Sequence, residues 1–169
     1  YIIDIDLEKA ERLQQIYGGE TKVRQNLDEV LAIDKIRCVI IASSTPTHFE
    51  LTKKCLLAKK NVLVENPLEN VKECFKIAIK NKVKLLVGYY KRFDINYQEL
   101  IKKVKMSNSP IKNIKMTIKN NFIPHMSYLN SSGGIVLDLL IHDIDIINIL
   151  MNFQIPQEVV ALTSTQDKL

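Results

Sequence analysis

Tryptophan is absent from the 169 residues, and glycine, cysteine and histidine are scarce at five, three and three. Each scarcity excludes something. The glycines are Gly18, Gly19, Gly88, Gly133 and Gly134, so no Gly-x-Gly-x-x-Gly turn stands within the chain. That turn gives a dinucleotide pyrophosphate its backbone cradle at a helix N-terminus. Gly18-Gly19 is no substitute, because it ends a helical pattern and does not link a strand to a helix start. Cys38, Cys55 and Cys74 show no metal-ligand spacing, so no metal site is expected. Their apolar neighbours point to core packing, in a reducing, cytoplasmic compartment. No positively charged start leads into a short apolar core, so no signal peptide is expected. The segment Ile135 to Met151 is apolar enough to weigh as a membrane span. It carries Asp138, His142, Asp143 and Asp145, each costly in hydrocarbon, and the span is rejected.

Hydrophobic residues make up 46% of the chain and charged residues 25%, the balance of a globular protein with a buried core. The length suits one domain, or one domain and part of a second. Net charge is +5, much of it lysine in helical stretches such as Lys53, Lys54, Lys59, Lys60, Lys102, Lys103 and Lys105. Nucleic-acid surfaces concentrate arginine and aromatic residues on one face. Arg12, Arg24, Arg37 and Arg92 are scattered, so a nucleic-acid partner is not expected. The chain opens on the apolar run Tyr1-Ile2-Ile3 and not on methionine, the pattern of a truncated or processed chain.

Ile2-Ile3 read as a strand, and Leu7 to Tyr17 as a helix with apolar residues at helical spacing. Val23 is a short strand candidate. Leu27 to Ala32 form a short helix with Asn26 as N-cap. Cys38 to Ala42 is a continuous apolar run, the pattern of a strand buried on both faces. Thr45 fits an N-cap and Pro46 the first position of a helix reaching Ala58. Asn61 to Glu65 is the next strand, Val71 to Asn81 a helix, and Lys84 to Gly88 a strand. Such alternation predicts an α/β fold with right-handed crossovers and a doubly wound parallel sheet. Ligands then bind beyond the carboxyl ends of the strands, which singles out Asp4, Ser43 to His48, Glu65 to Pro67 and Gly88 to Asp94. After Gly88 the pattern changes. Ile95 to Met106 is helical, Ile111 to Ile118 alternates like a half-exposed strand, and 119–134 reads as a polar loop. A helix follows to about Asn152, and Val159 to Thr163 reads as a last strand. The predicted domains are 1–92, a partial Rossmann-type domain lacking its first strand, and 93–169, part of an α+β domain.

Asp4 closes a strand where a dinucleotide fold places a ribose-binding carboxylate. The alternative is a helix N-cap or first-turn carboxylate. The amides of Ser43 to His48 could meet a nicotinamide ribose, or the segment is an ordinary capped helix with a surface histidine. Asp138 and His142 lie four apart in a helix and so share a face. Histidine is the commonest base for a hydroxyl proton, and a carboxylate one turn back could fix its tautomer. The alternative is an ion pair on a helix surface. The surrounding Leu137, Leu139, Leu140, Ile141 and Ile144 place the pair in a cleft or buried. His125 has no partner by spacing and reads as solvated.

Five segments, in order, resemble the glucose-fructose oxidoreductase / inositol dehydrogenase / rhizopine-catabolism oxidoreductases. They are Ile3-Asp4-Ile5-Asp6, then Ser43-Ser44-Thr45-Pro46-Thr47-His48, then Asn61 to Leu68, then Gly88 to Asp94, and Gly133-Gly134 through Asp138 to His142-Asp143-Ile144-Asp145. The resemblance covers nearly the whole chain, and the order and spacing make it specific. It implies an oxidoreductase fragment, truncated at both ends. The parent would move hydride between NAD (or NADP) and a secondary alcohol of a sugar or a cyclitol such as inositol, and would be a homo-oligomer.

The resemblance also implies roles. His142 would be general acid/base, with Asp138 beside it at the substrate carbinol. Tyr90 and Lys91 would line the substrate pocket. Asp4, Thr45, His48 and Glu65 would contact the cofactor. Lys119 stands where inositol-type members often have arginine, and Asn120 follows in place of aspartate. The main departure is Asn66, at the position of the family lysine. A neutral amide donates a hydrogen bond but supplies no positive charge. That departure supports an alternative reading, a catalytically inactive family member that binds nucleotide or sugar as a sensor or partner.

Overall fold

Short parallel strands alternate with helices through the first 88 residues. The chain forms β1 (Ile2–Ile3), α1 (Leu7–Tyr17), β2 (Val23–Arg24), α2 (Leu27–Leu31), β3 (Cys38–Ile41), α3 (His48–Leu57), β4 (Asn61–Val64), α4 (Val71–Asn81) and β5 (Leu85–Val87). The helix boundaries follow capping chemistry. The Asp6 side chain accepts from Lys9 N at the start of α1, and the Asn26 side chain accepts from Asp28 N at the start of α2. That Lys9 N–H, with the burial cost and the Lys9 side chain smaller, holds the Asp6 carboxyl below its usual range. Gly18 caps α1 because a Cβ there would lie 2.5 Å from Gln14 O.

The computed structural model describes residues 1–107, 109–119 and 124–162. They fall into two compact units, Tyr1–Gly88 with Phe122–Asp138, and Tyr89–Asn121 with Leu139–Leu169.

In the first unit β1 pairs with β2, and β3, β4 and β5 form a second parallel sheet in that order. Registry aligns Ile41 with Val64 and Val64 with Val87, and also Ile40 with Leu63 and Leu63 with Leu86. Side chains alternate across a strand, so these are ladders on opposite faces. Ile41, Val64 and Val87 are buried, whereas Ile40 is 69% and Leu86 49% exposed. Right-handed crossovers that step one way across a sheet deliver their helices to one face. Here α3 packs on α4, β3 and β4, and α4 packs on β5. The core between them is Thr52, Cys55, Leu56, Cys74 and Ala78 against the buried ladder. Burial raises the Cys55 thiol to about 11. The sequence pattern had β3 buried on both faces and Cys38 in the core. Instead β3 has one covered face, and Cys38 is exposed on the other.

Beyond Gly88 the strand expectations fail. Residues 111–119 form no strand. An alternating segment needs a ladder partner to satisfy its backbone groups, and no strand is present in the second unit among the described residues. Val159 to Leu162 are likewise irregular and, at Val159, Val160 and Leu162, exposed, while Thr163 lies outside the described residues. Within the expected polar loop stands α6 (Met126–Ser131). The expected single helix to Asn152 is two elements: a π-helical turn, Val136–Leu140, and α7 (Ile141–Leu150). The second unit also holds α5 (Ile95–Met106), whose N-cap Asp94 accepts from Asn96 N and Tyr97 N. Among the described residues no helix is long and apolar enough to cross a membrane.

Candidate functional site

Strand ends in the first unit carry the candidate cofactor groups. Asp4 follows β1, and its Oδ1 accepts from Asp6 N at 2.9 Å. The helix cap is Asp6, so the first-turn role considered for Asp4 falls to its neighbour. After β3, the helix start is a 3₁₀ turn, Thr45–Thr47, with Ser44 at the cap position. The cap is therefore one residue earlier than expected, because Thr45 already has helical backbone. Thr47 Oγ1 donates to Ser44 O at 2.7 Å and lies 2.6 Å from Ser43 Oγ.

His48 is not the surface residue of the alternative reading. It is 2% exposed, with Nδ1 2.8 Å from Pro67 O and Nε2 2.9 Å from Ser43 O. Both partners are carbonyl oxygens, and a neutral imidazole donates from only one nitrogen. The ring thus ties the segment after β3 to the segment after β4.

Glu65 and Asn66 follow β4. Glu65 N donates to Ile41 O, and Gly88 N to Val64 O, which extends the ladder one residue past the strands. A Cβ at Gly88 would lie 2.8 Å from Glu65 Oε2, so glycine there keeps room for the carboxylate. Asn66 precedes a cis bond to Pro67. Its Nδ2 and Oδ1 are both buried and have no hydrogen-bond partner among the described residues. Buried amides are rarely left unmet, and each case asks for a missing water or ligand.

Asp138 belongs to the first unit. Its Oδ1 accepts from Tyr128 Oη at 2.7 Å, and that hydrogen bond, aided by burial, raises the Tyr128 phenol. The partner was missed because the residues around Tyr128 read as loop. As α6, they hold the phenol in place.

In the second unit, a 3₁₀ turn at Tyr90–Phe93 packs against α7. Tyr90 lies against the His142 ring, with centroids 4.3 Å apart, and Tyr89 approaches it edge-on at 6.4 Å. His142 is 8% exposed. Lys91 Nζ donates to Asp143, and Arg92 Nε donates to Asp145 Oδ2 at 2.6 Å while its second nitrogen reaches Oδ1. Burial works against the Lys91 ammonium, but the hydrogen bond and charge of Asp143 outweigh it and its pKa is raised. The Arg92 guanidinium is likewise held charged, first by its hydrogen bond to Asp145. The structure therefore brings Tyr90 and Lys91 together with the helix of His142, and spends the Lys91 ammonium on an internal ion pair. Asp143, Asp145 and Arg92 were not singled out for this. The available signal was two acids in an apolar helix, which burial permits only when paired. Among the described residues no group of three potential ligands could hold a metal ion.

Residues 1–89 match the model of an oxidoreductase family described as having an NAD-binding Rossmann fold. The inositol 2-dehydrogenase of Rhizobium meliloti (strain 1021) is 30% identical over 161 residues, 92% of this chain and 47% of that protein. The myo-inositol 2-dehydrogenase of Thermotoga maritima is 31% identical over 163 residues, 92% of this chain and 48% of the relative. The chain thus spans about half the length of these curated relatives. A Sinorhizobium meliloti 1021 crystal structure, assigned as a candidate myo-inositol dehydrogenase, superposes with a TM-score of 0.77 at 30% identity, covering 89% of this chain and 46% of that one. GenD2 from gentamicin A biosynthesis, at 20% identity and a TM-score of 0.74, shares the fold over 89% of this chain and 45% of its own.

Proposed function

The chain belongs to the GFO/IDH/MocA oxidoreductases, a family with an NAD-binding Rossmann fold, and from that premise we propose that the whole protein moves hydride between NAD and a secondary alcohol of a cyclitol or sugar. The observation that carries the reading is positional. Asp4, Thr45, Glu65 and Asn66 follow the carboxyl ends of β1, β3 and β4, where doubly wound sheets take their ligands. We assign residues 1–92 to the cofactor domain and 93–169 to part of the substrate domain.

The residues fit the ribose and nicotinamide portions of such a cofactor. Asp4 accepts from ribose hydroxyls, and its charge disfavours a 2′-phosphate, hence NAD over NADP. Thr45 and Glu65 contact the nicotinamide side, and His48 acts indirectly by fixing the two loops. The buried Asn66 amide, with no partner among the described residues, is a group that a bound ligand would complete. No glycine-rich turn within these residues cradles the pyrophosphate. A bound nicotinamide would supply the acceptor for hydride leaving the carbinol carbon. His142 would take the hydroxyl proton, with Tyr90 against its ring, and Asp138, held by Tyr128, would bind a substrate hydroxyl.

Asn66 supplies a neutral hydrogen bond where a cation would stabilise the developing alkoxide. Loss of one such contact costs on the order of a hundredfold in rate. Asn66 also motivates the second reading, a family member that binds cofactor or polyol without turnover. One experiment separates them: NAD binding by calorimetry, then NADH formation on a panel of inositols and sugars, for the parent and Asn66→Lys. Binding with slow turnover, raised by the substitution, supports the enzyme. Binding with no turnover in either protein supports the binding-only reading, and folded protein that binds neither NAD nor any polyol of the panel by calorimetry sinks both.

A further inference from the structure

We infer that the turn Tyr90-Lys91-Arg92 is a positioning clamp for His142, holding α7 at one rotation about its axis; this rests on His142 being the proton acceptor proposed above. An α-helix turns about 100° per residue. Asp143 therefore stands about 100° to one side of His142, and Asp145 about 60° to the other. Each carboxylate is held by its own cation from a single turn, Asp143 by Lys91 and Asp145 by both nitrogens of Arg92. Tyr90, the residue before them, covers the imidazole itself. Two ion pairs on opposite sides of one ring, with an aromatic face between, fix rotation in both directions.

Stability alone does not account for the arrangement. Asp143 and Asp145 are 5% and 6% exposed, in a helix whose other residues are mostly isoleucine, leucine and asparagine. Buried ion pairs are often no more stable than apolar residues of the same size, and their best-attested use is registry. Cation placement is economical in the same way. Arg92 also lies over the Tyr89 ring at 4.9 Å, and Lys91 over Tyr97 at 5.5 Å. The aromatic residues thereby fix the cations that fix the helix. A guanidinium at Arg92 suits a two-point hold on Asp145, because its planar fork matches a carboxylate.

The test reads the histidine directly. In protein with ¹³C-labelled histidine, the ring Cε1–Hε1 signal of His142 is identified with His142→Gln. Tyr90→Leu should abolish the ring-current displacement of that signal, and Tyr90→Phe should keep it. Arg92→Met and Asp145→Asn should broaden or split it, with Arg92→Lys restoring it in part. On the polyol oxidised by the parent, kcat should fall about ten- to a hundredfold in Arg92→Met, as expected when a reacting group is misplaced by an ångström or less, with KM for NAD unchanged. A paired change, Lys91→Leu with Asp143→Leu, should keep or raise Tm and still broaden the signal, which separates positioning from folding. An unchanged His142 signal in folded Arg92→Met and in the paired variant overturns the clamp, whatever the turnover. A parent with no turnover, whose His142 signal responds as described, upholds the clamp and sinks the enzymatic reading.

Discussion

His48 shows how one side chain can organise a site without touching a ligand. Its two nitrogens meet carbonyl oxygens on segments that follow different strands, and the ring is buried. Replacing it by alanine removes a buried hydrogen bond, strands its carbonyl acceptor and leaves a cavity. His48→Ala should cost about 2–4 kcal/mol. Urea unfolding checks this, and the midpoint should fall with the slope unchanged. A loss below about 0.5 kcal/mol would mean that the ring nitrogens are not bonded as described. The sequence marked His48 as a candidate cofactor contact, with a surface histidine as the alternative, and its burial excludes the second. The atoms that its ring meets here, Ser43 O and Pro67 O, are main-chain atoms, and no side-chain pattern announces those. Lys91 is similar, since its partner Asp143 lies 52 residues away. Asn66 was legible in type and place, because it interrupts a recognisable stretch. That its amide has no partner among the described residues required the fold.

At the scale of elements, local chemistry was a good guide through residue 88 and a poor one after it. Up to Gly88, β3, β4 and β5 are short apolar runs, α1 and α2 begin with a side-chain cap, and Pro46 stands in the turn that leads into α3, so periodicity and punctuation agree. The error at β3 has a definite cause. A continuous apolar run is the expected signature of double burial, yet α3 and α4 both cover the same face of β3-β4-β5. The neighbours Ile40 and Ile41 therefore differ sharply, at 69% and 4% exposed. Ile41→Ala should lose about 2–5 kcal/mol, and Ile40→Ala less than about 1 kcal/mol, read from the two denaturation midpoints. Equal losses would mean that the second face is covered in solution. After Gly88 the alternation of Ile114, Met116 and Ile118 was taken as a strand. Alternation records which side chains face apolar surroundings, but a strand also needs a neighbour to pair with, and none is present in that unit among the described residues. The residues 126–131 were read as loop from their polarity, yet they close into α6, whose Tyr128 then reaches Asp138.

At the scale of the molecule, the open face of the three-stranded sheet becomes the leading physical liability. Ile40, Leu63 and Leu86 form one ladder across all three strands, with Ile40 and Leu86 exposed. Apolar side chains lined up in this way make a contiguous patch rather than scattered singles, and such patches drive association. The net charge of +5 opposes this only weakly, because salt screens such charges beyond a Debye length of ~8–10 Å. The 169-residue chain should therefore self-associate with rising concentration. The double substitution Ile40→Lys with Leu86→Lys should suppress that association while leaving α3, α4 and their buried ladder intact, because neither residue lies on the covered face. Sedimentation velocity over a concentration series, with circular dichroism as the check on folding, decides the matter. If parent and variant associate alike, the sticking surface lies elsewhere. If the parent is a monomer throughout, the ladder is shielded by contacts that the exposures do not record.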